Sequence, residues 1–183
     1  MIEFNKDEAV QLIQRTPVVL AELLKDLPRS WIHANEGGDS WSVYDIIGHL
    51  VHGEKTDWIP RMNIILDPAG DKKFVPFDRF AQFRNSGDKS LKDLLTEFSE
   101  LRLSNTEILK NAMLSAGDLQ KQGIHPAFGS VSLKELLAGW VVHDLNHIGQ
   151  VCRVLAFQYK KEIGPWTEYM GILHWKSSAE RSK

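Results

Sequence analysis

His143 and His147 lie four residues apart in the otherwise apolar stretch GWVVHDLNHIGQVCRVL, residues 139–155. On an α-helix this spacing places both imidazoles on one face, one turn apart. Two imidazoles in this arrangement are typical ligands of a divalent metal ion. Because the spacing also arises by chance, a metal site requires a third ligand and a scaffold that positions it. The alternative is a pair of histidines at the flank of the core with ordinary hydrogen bonds.

A third ligand is sought among the remaining five of the seven histidines. Three of them fall in predicted loops or near the C-terminus: His33, His125 and His174. His49 and His52 lie on a predicted helix, where helical geometry places His49 at the flank of the apolar arc and His52 about 60° further toward solvent. His143 and His147 also lie at one flank of their own helix. The three histidines are therefore expected to line an edge of the helix packing, which favours an open site.

Hydrophobic periodicity predicts four helices. The first covers residues 7–27 and is interrupted at Pro17, with Thr16 as a candidate N-cap. The second runs from residue 42 to 67 with a bend at Pro60. The third covers residues 90–115, and the fourth ends near residue 161. Three helix starts have a serine followed three residues later by an acidic side chain, as in a capping box: Ser42 with Asp45, Ser90 with Asp93, and Ser132 with Glu135.

A long connection, residues 67–88, separates the second and third helices and is rich in Pro, Gly, Asp and Phe. A connection of this length in a compact domain is often functional, although its phenylalanines could equally make it a packed crossover. The sequence therefore predicts an all-α four-helix bundle with a long crossover between helices two and three. Bundles build metal sites from side chains on facing helices. We expect one domain over residues 1–176, followed by a polar tail at 177–183.

The amino-acid composition argues against several classes of protein. Charged residues make up 25% of the chain and the net charge is −2, without the basic excess that a general nucleic-acid binder carries. No apolar run approaches the roughly 18 residues of a membrane span. Cys152 is the only cysteine, so an internal disulfide is excluded, and a reducing cytoplasm is the expected location.

Three segments resemble the DinB superfamily, including its branch of metal-dependent hydrolases and bacillithiol S-transferases. They are WSVYDIIGHLVHGEKTDWIPRM (residues 41–62), VVHDLNHIGQV (141–151) and EIGPWTEYMGIL (162–173). The resemblance implies a four-helix bundle that binds a divalent ion through His49, His143 and His147, with water completing the coordination shell. It also implies a homodimer with helices paired side by side. The family is functionally broad, so the resemblance is more specific for the site than for the substrate.

Three imidazoles with an open coordination position are typical of a catalytic rather than a structural metal. Zinc or nickel is expected first, with manganese or iron as alternatives, because such a shell discriminates weakly among metals. A bound water would make the protein a hydrolase of a small molecule, whereas a bound thiolate would make it a thiol S-transferase. Two other hypotheses stay open: a non-enzymatic metal- or ligand-binding stress-response bundle, and a helical dimer without metal.

Two carboxylates near these motifs are candidates for supporting roles. Helical geometry places Glu54 inside the apolar arc, where it is the candidate general base or hydrogen-bond partner of a ligand histidine. The alternatives for Glu54 are a salt bridge with an arginine such as Arg61 or Arg153, or a helix curvature that brings it to solvent. Asp144 lies about 100° from His143 by helical geometry and need not reach the metal. The alternative is a role as a base or as a hydrogen-bond partner of a ligand histidine.

Overall fold

A computed structural model describes residues 1–175, and the predicted tail at 177–183 lies outside them. Within the described part, nine α-helices and one two-stranded hairpin follow one another along the chain. The long helices are α1 (Lys6–Ile13), α2 (Thr16–Leu24), α4 (Val43–Thr56), α5 (Trp58–Leu66), α7 (Leu91–Asn111) and α9 (Leu133–Phe157). The short ones are α3 (Arg29–His33), α6 (Ala81–Asn85) and α8 (Ala116–Gln120), followed after α9 by two 3₁₀ turns at Gly164–Tyr169 and Gly171–His174.

Six of these helices form the four rods of a bundle. The first rod is α1 with α2, the second is α4 with α5, and the third and fourth are α7 and α9. The first and second rods each pack against both α7 and α9. Residues 67–88 connect the second rod to the third and contain α6, which packs on α4. The predicted all-α four-helix bundle with a long crossover is confirmed.

Proline explains the break in each of the first two rods. Pro60 has no backbone N–H, and its ring would collide with the carbonyl of Thr56 in a continuous helix. The helix therefore breaks at Asp57, where φ is −110° and ψ is −72°, three residues before the predicted bend. In the first rod, α2 begins at Thr16 with Pro17 in its first turn. The N-cap position belongs to Arg15, so the prediction of Thr16 as a cap was wrong.

The serine caps set the other helix starts. The capping boxes at Ser42, Ser90 and Ser132 all form, which confirms the three predicted starts. Ser115 makes a further capping box with Asp118 and begins α8, although the sequence suggested that this segment ends the third helix. The third and fourth predicted helices end four residues earlier than expected, at Asn111 and Phe157.

A β-hairpin that the sequence did not predict lies between α8 and α9. Strands β1 (Gln122–His125) and β2 (Gly129–Ser132) pair antiparallel, and Lys73 from the crossover bridges to Ile124. A Cβ on Gly123 would lie 2.4 Å from the Phe74 ring, so glycine permits this close approach. Four-residue strands are too short for alternation to be recognised in the sequence.

The interior has two apolar clusters with a polar layer between them along every rod. One cluster contains Leu20, Val51, Phe98 and Val151, and the other contains Ile13, Trp58, Leu109 and Trp140. The buried polar side chains that lie between them along the chain include one from each rod: Thr16, Glu54, Arg102 and Asp144. Of the helices in residues 1–175, none has the length and apolar character needed to cross a membrane.

Candidate metal centre

Three histidines from two facing rods converge at the edge of this polar layer. The Nε2 atom of His143 lies 3.3 Å from Nε2 of His49 and 3.1 Å from Nε2 of His147. The candidate ligand atoms of the three rings all lie within 4.8 Å of one another. His49 and His147 are each 7% exposed, and His143 is half-buried. His52 instead packs against the ring of Phe77, 5.0 Å between centroids, and is not part of the cluster.

Gln150, one turn after His147 on α9, fixes the orientation of that ring. Nδ1 of His147 is 2.8 Å from Oε1 of Gln150. Since an amide oxygen only accepts, Nδ1 carries the proton and Nε2 presents its lone pair to the other two histidines. Nδ1 of His49 and Nδ1 of His143 are buried and make no hydrogen bond within the described chain.

The three converging nitrogens suit a cation. His143 Nε2 takes part in both short N···N contacts but can donate a proton to only one of them. The lone pair of His147 or of His49 accepts that proton. The protonated Nε2 of His143 has no lone pair left to accept from the other histidine, so the remaining contact has no hydrogen bond. Ligands bound at about 2.0–2.1 Å to one ion are separated by roughly 2.9–3.4 Å, which matches both separations from Nε2 of His143. The donor set therefore fits one divalent ion.

The electrostatics keep the cluster ready to bind. Burial lowers the pKa of His49, and the neighbouring His147 and His143 lower it further, to about 2. His49 is consequently a neutral imidazole at pH 7, the form in which one ring nitrogen has a lone pair for a metal ion.

Aromatic rings hold the imidazoles in place. Trp41 lies 4.9 Å from the His49 ring between centroids, with Phe77 at 5.3 Å. Trp58 packs edge-on to His143 at 5.0 Å. Trp140 is fully buried and stacks on Trp58, with 5.6 Å between the ring centroids.

Behind the histidines, Arg102 of α7 joins two buried carboxylates. Its terminal nitrogens donate to Oε1 of Glu54 at 2.8 Å and to Oδ2 of Asp144 at 2.5 Å. Asn105 donates to Oε2 of Glu54 at 3.0 Å. The salt-bridge interpretation of Glu54 is correct, but its partner is Arg102, not Arg61 or Arg153. Both carboxylate oxygens of Glu54 are occupied by these donors, and its general-base role stays a prediction.

Asp144 connects this ion network to the histidine cluster. Thr16 donates to its Oδ2 at 2.6 Å, and its Oδ1 lies 3.9 Å from Nδ1 of His143. Burial alone would raise the pKa of Asp144, but its interactions with His143, Arg102 and Thr16 lower it below the usual value. Asp144 is therefore a charged group near Nδ1 of His143, although 3.9 Å is beyond hydrogen-bond distance.

The cluster opens into a cavity of about 1840 Å³. The crossover supplies Phe77 and Phe80 to its wall, and the hairpin supplies His125 and Phe128. Phe74 of the crossover lines the cavity as well and is buried in the apolar core. The crossover phenylalanines therefore pack the fold and line the cavity, and a functional role of the crossover stays a prediction.

The comparisons with known proteins agree with this architecture. A sequence model of the DinB superfamily matches residues 12–151. The chain belongs to the DinB superfamily. It is similar in structure to YfiT from Bacillus subtilis, described as a probable metal-dependent hydrolase with an unusual four-helix bundle topology. The TM-score is 0.70 at 18% identity, over 90% of each chain.

The chain is also similar in structure to TT2238, described as a four-helix bundle protein. The TM-score is 0.52 at 18% identity, over 79% of this chain and 95% of that one. No curated protein matches the chain. At these identities the structural matches show the fold alone.

Two supporting residues were missed in the sequence although each has a signal there. Gln150 follows His147 by three residues, so helical spacing already places it beside that ring. Arg102 follows Phe98 by four residues on the apolar face of the third helix, where an unpaired cation is unfavourable. Its partners come from two other rods, and only their packing reveals them.

Proposed function

We propose that this DinB-superfamily protein is a divalent-metal-dependent enzyme that acts on a small molecule, either as a hydrolase or as a thiol S-transferase. The observation that carries the proposal is the convergence of three Nε2 atoms at the wall of a large cavity. Three protein ligands leave a coordination position open to that cavity, as catalytic sites require.

His49, His143 and His147 would hold the ion, which supplies Lewis-acid activation of a bound water or thiol. Gln150 holds the protonated Nδ1 of His147, so that its Nε2 stays directed at the site. Trp41 and Trp58 fix the other two rings and remove water from one side of the cluster. The side facing the cavity remains open to a nucleophile and a substrate.

Zinc or nickel is the proposed ion, with manganese or iron as alternatives, because imidazole ligands accept each of them. A low-molecular-weight thiol is the proposed nucleophile for the transferase version. The similarity in fold to YfiT, described as a probable metal-dependent hydrolase, supports the hydrolase version. The cytoplasmic location and the homodimer stay predictions.

The first test is the metal content of untagged protein that has not been exposed to a nickel column, measured by mass spectrometry. We expect about one divalent ion per chain, and none in the His143→Ala/His147→Ala double variant. Metal retained by the double variant would contradict the assigned ligands.

Turnover distinguishes the enzyme from the non-enzymatic alternative. The loaded protein is mixed with a panel of activated esters and amides, with and without a small thiol. We expect product formation that the double variant does not support. Stoichiometric metal without turnover in either set would instead favour a metal- or ligand-binding module.

A further inference from the structure

A second polar feature lines the same cavity. Arg61 of α5 is only 7% exposed, its Nε lies 2.5 Å from Oδ1 of Asp57, and its guanidinium lies 5.1 Å from the centre of the Phe74 ring. Both Arg61 and Asp57 line the cavity together with His143. A buried guanidinium thus shares one chamber with the histidine cluster.

The terminal nitrogens of Arg61 have no protein acceptor within residues 1–175. Its carboxylate partner there is Asp57, reached through Nε, and the face of its guanidinium is covered by Phe74. No nitrogen of Arg61 is both fully buried and without a hydrogen bond. The terminal nitrogens therefore keep access to the cavity, and a fork of donors in that position suits a planar anion.

The charge around Arg61 favours a single negative charge on the ligand. Asp57 at 2.5 Å offsets part of the arginine charge, so a doubly charged phosphate would be poorly compensated. A carboxylate brings less uncompensated charge than such a phosphate, and it matches the planar geometry of the two terminal N–H groups.

The walls around the cavity favour an apolar body on that ligand. Phe74 contacts Arg61, and Trp58 contacts His143. Phe77 of the crossover and Phe128 of the hairpin also line the cavity. Pockets of this composition bind the apolar part of a ligand by burial and orient it with a few polar groups.

We propose that Arg61 is the carboxylate-binding residue of the site, and that the ligand is a small molecule with an apolar or aromatic body and one carboxylate. This inference rests on the proposed function. A substrate whose carboxylate is bound by Arg61 would extend through the cavity toward the three histidines.

Two other arginines at the cavity serve as comparisons. Arg153 forms a bidentate pair with Glu36, 2.8 Å for each contact, so a terminal nitrogen as well as its Nε already donates to a carboxylate. Arg79 is exposed and lies over Phe80 at 5.9 Å, so water screens its charge. Arg61 combines burial with unbonded donors, and neither of the other two has both features.

The test uses full-length protein stripped of metal and two probes that differ in one group, 2-naphthoate and the uncharged 2-naphthamide. Equilibrium dialysis gives the dissociation constant of each. We expect wild type to prefer naphthoate by about tenfold, as one charge-assisted hydrogen-bond pair provides. Arg61→Met should abolish the preference while naphthamide binds as before, and Arg79→Met should leave it within about twofold.

The inference is overturned if wild type does not prefer naphthoate, or if the preference survives in Arg61→Met. If Arg61→Met does not fold, a second measurement is made by NMR on the wild type. The nitrogen resonance of the Arg61 side chain is assigned by its loss in Arg61→Lys. That resonance must shift with naphthoate and not with naphthamide. These measurements use metal-free protein, so their outcome does not depend on the proposed metal site. The metal site is tested separately, by the metal content of the double histidine variant.

Discussion

Two polar clusters share one layer of the bundle, and they differ in how their atoms are satisfied. In the ion network, Arg102 bonds to Glu54 and Asp144, and the neighbouring Asn105 also bonds to Glu54. In the histidine cluster, three nitrogens face one another and at most one proton can lie between two of them. All four carboxylate oxygens of the first cluster accept hydrogen bonds from the protein, whereas the nitrogens of the second are suited to binding a metal ion.

The charges of the two clusters are complementary. The ion network contains two carboxylates and one guanidinium, a formal charge of −1, and its Asp144 lies behind His143. A divalent ion on the three imidazoles would add positive charge on the other side of His143. The carboxylates already have donors within the protein, so the histidine cluster is the better candidate for binding a ligand.

Removing Arg102 should have the largest effect on stability. Arg102→Met leaves two buried carboxylates without their cation, and we expect the free energy of unfolding to fall by about 3–5 kcal/mol. Urea denaturation of metal-free protein measures it. Arg84→Met is the matched control, because Arg84 pairs with Asp78 at the surface, where the pair is exposed and its loss should leave the midpoint nearly unchanged. Equal midpoints for the two variants would contradict the comparison.

Gln150 should matter for metal and little for folding. In Gln150→Leu the Nδ1 proton of His147 loses its acceptor, and we expect metal affinity to fall by about 10–100-fold. Competition with a chromophoric chelator measures the affinity. The exposed Gln11, replaced in Gln11→Leu, is the control and should keep the wild-type affinity. An unchanged affinity in Gln150→Leu would show that His147 needs no orienting partner.

Acid should destabilise the metal-free protein through His49. Its pKa in the folded state, about 2, lies below the ordinary 6.5, so the unfolded chain takes up a proton that the folded one does not. The stabilisation is complete above about pH 6.5 and is lost progressively as the pH falls toward 2. Between pH 7 and pH 5 we expect wild type to lose about 2 kcal/mol more than His49→Asn.

Urea titrations at the two pH values give this difference. His52→Asn is the comparison variant, because the His52 ring is only partly buried and its pKa is lowered less by its surroundings. If wild type and His49→Asn lose the same stability, His49 is not the group that resists protonation.

Thr16 should have the smallest effect. Thr16→Val removes one hydrogen bond to Asp144, which keeps its contacts with Arg102, and we expect a loss of about 1–2 kcal/mol. Thermal unfolding measures it. Thr56→Val is the control, since the hydroxyl of Thr56 bonds only within its own helix at an exposed position. A loss as large as that of Arg102→Met would mean that the hydroxyl, and not the guanidinium, holds the network together.

Local patterns were sufficient for much of this structure. The capping boxes at Ser42, Ser90 and Ser132 lie where serine and acidic residues are three apart, because a cap depends only on neighbours in the chain. The hairpin at residues 122–132 was missed, because its strands are held by pairing with each other and with Lys73 of the crossover.

The sequence by itself determined the helical periodicity, the helix starts, the four-residue spacing of His143 and His147, and the position of His49 on the opposing helix. These follow from the fixed geometry of an α-helix, in which residues three and four apart share a face. Tertiary structure alone decided that Arg102 pairs with Glu54 and Asp144, that Thr16 bonds to Asp144 instead of capping, and that Arg61 shares a cavity with the histidines. Each of these contacts joins residues far apart in sequence, so only the packing of one rod on another could determine it.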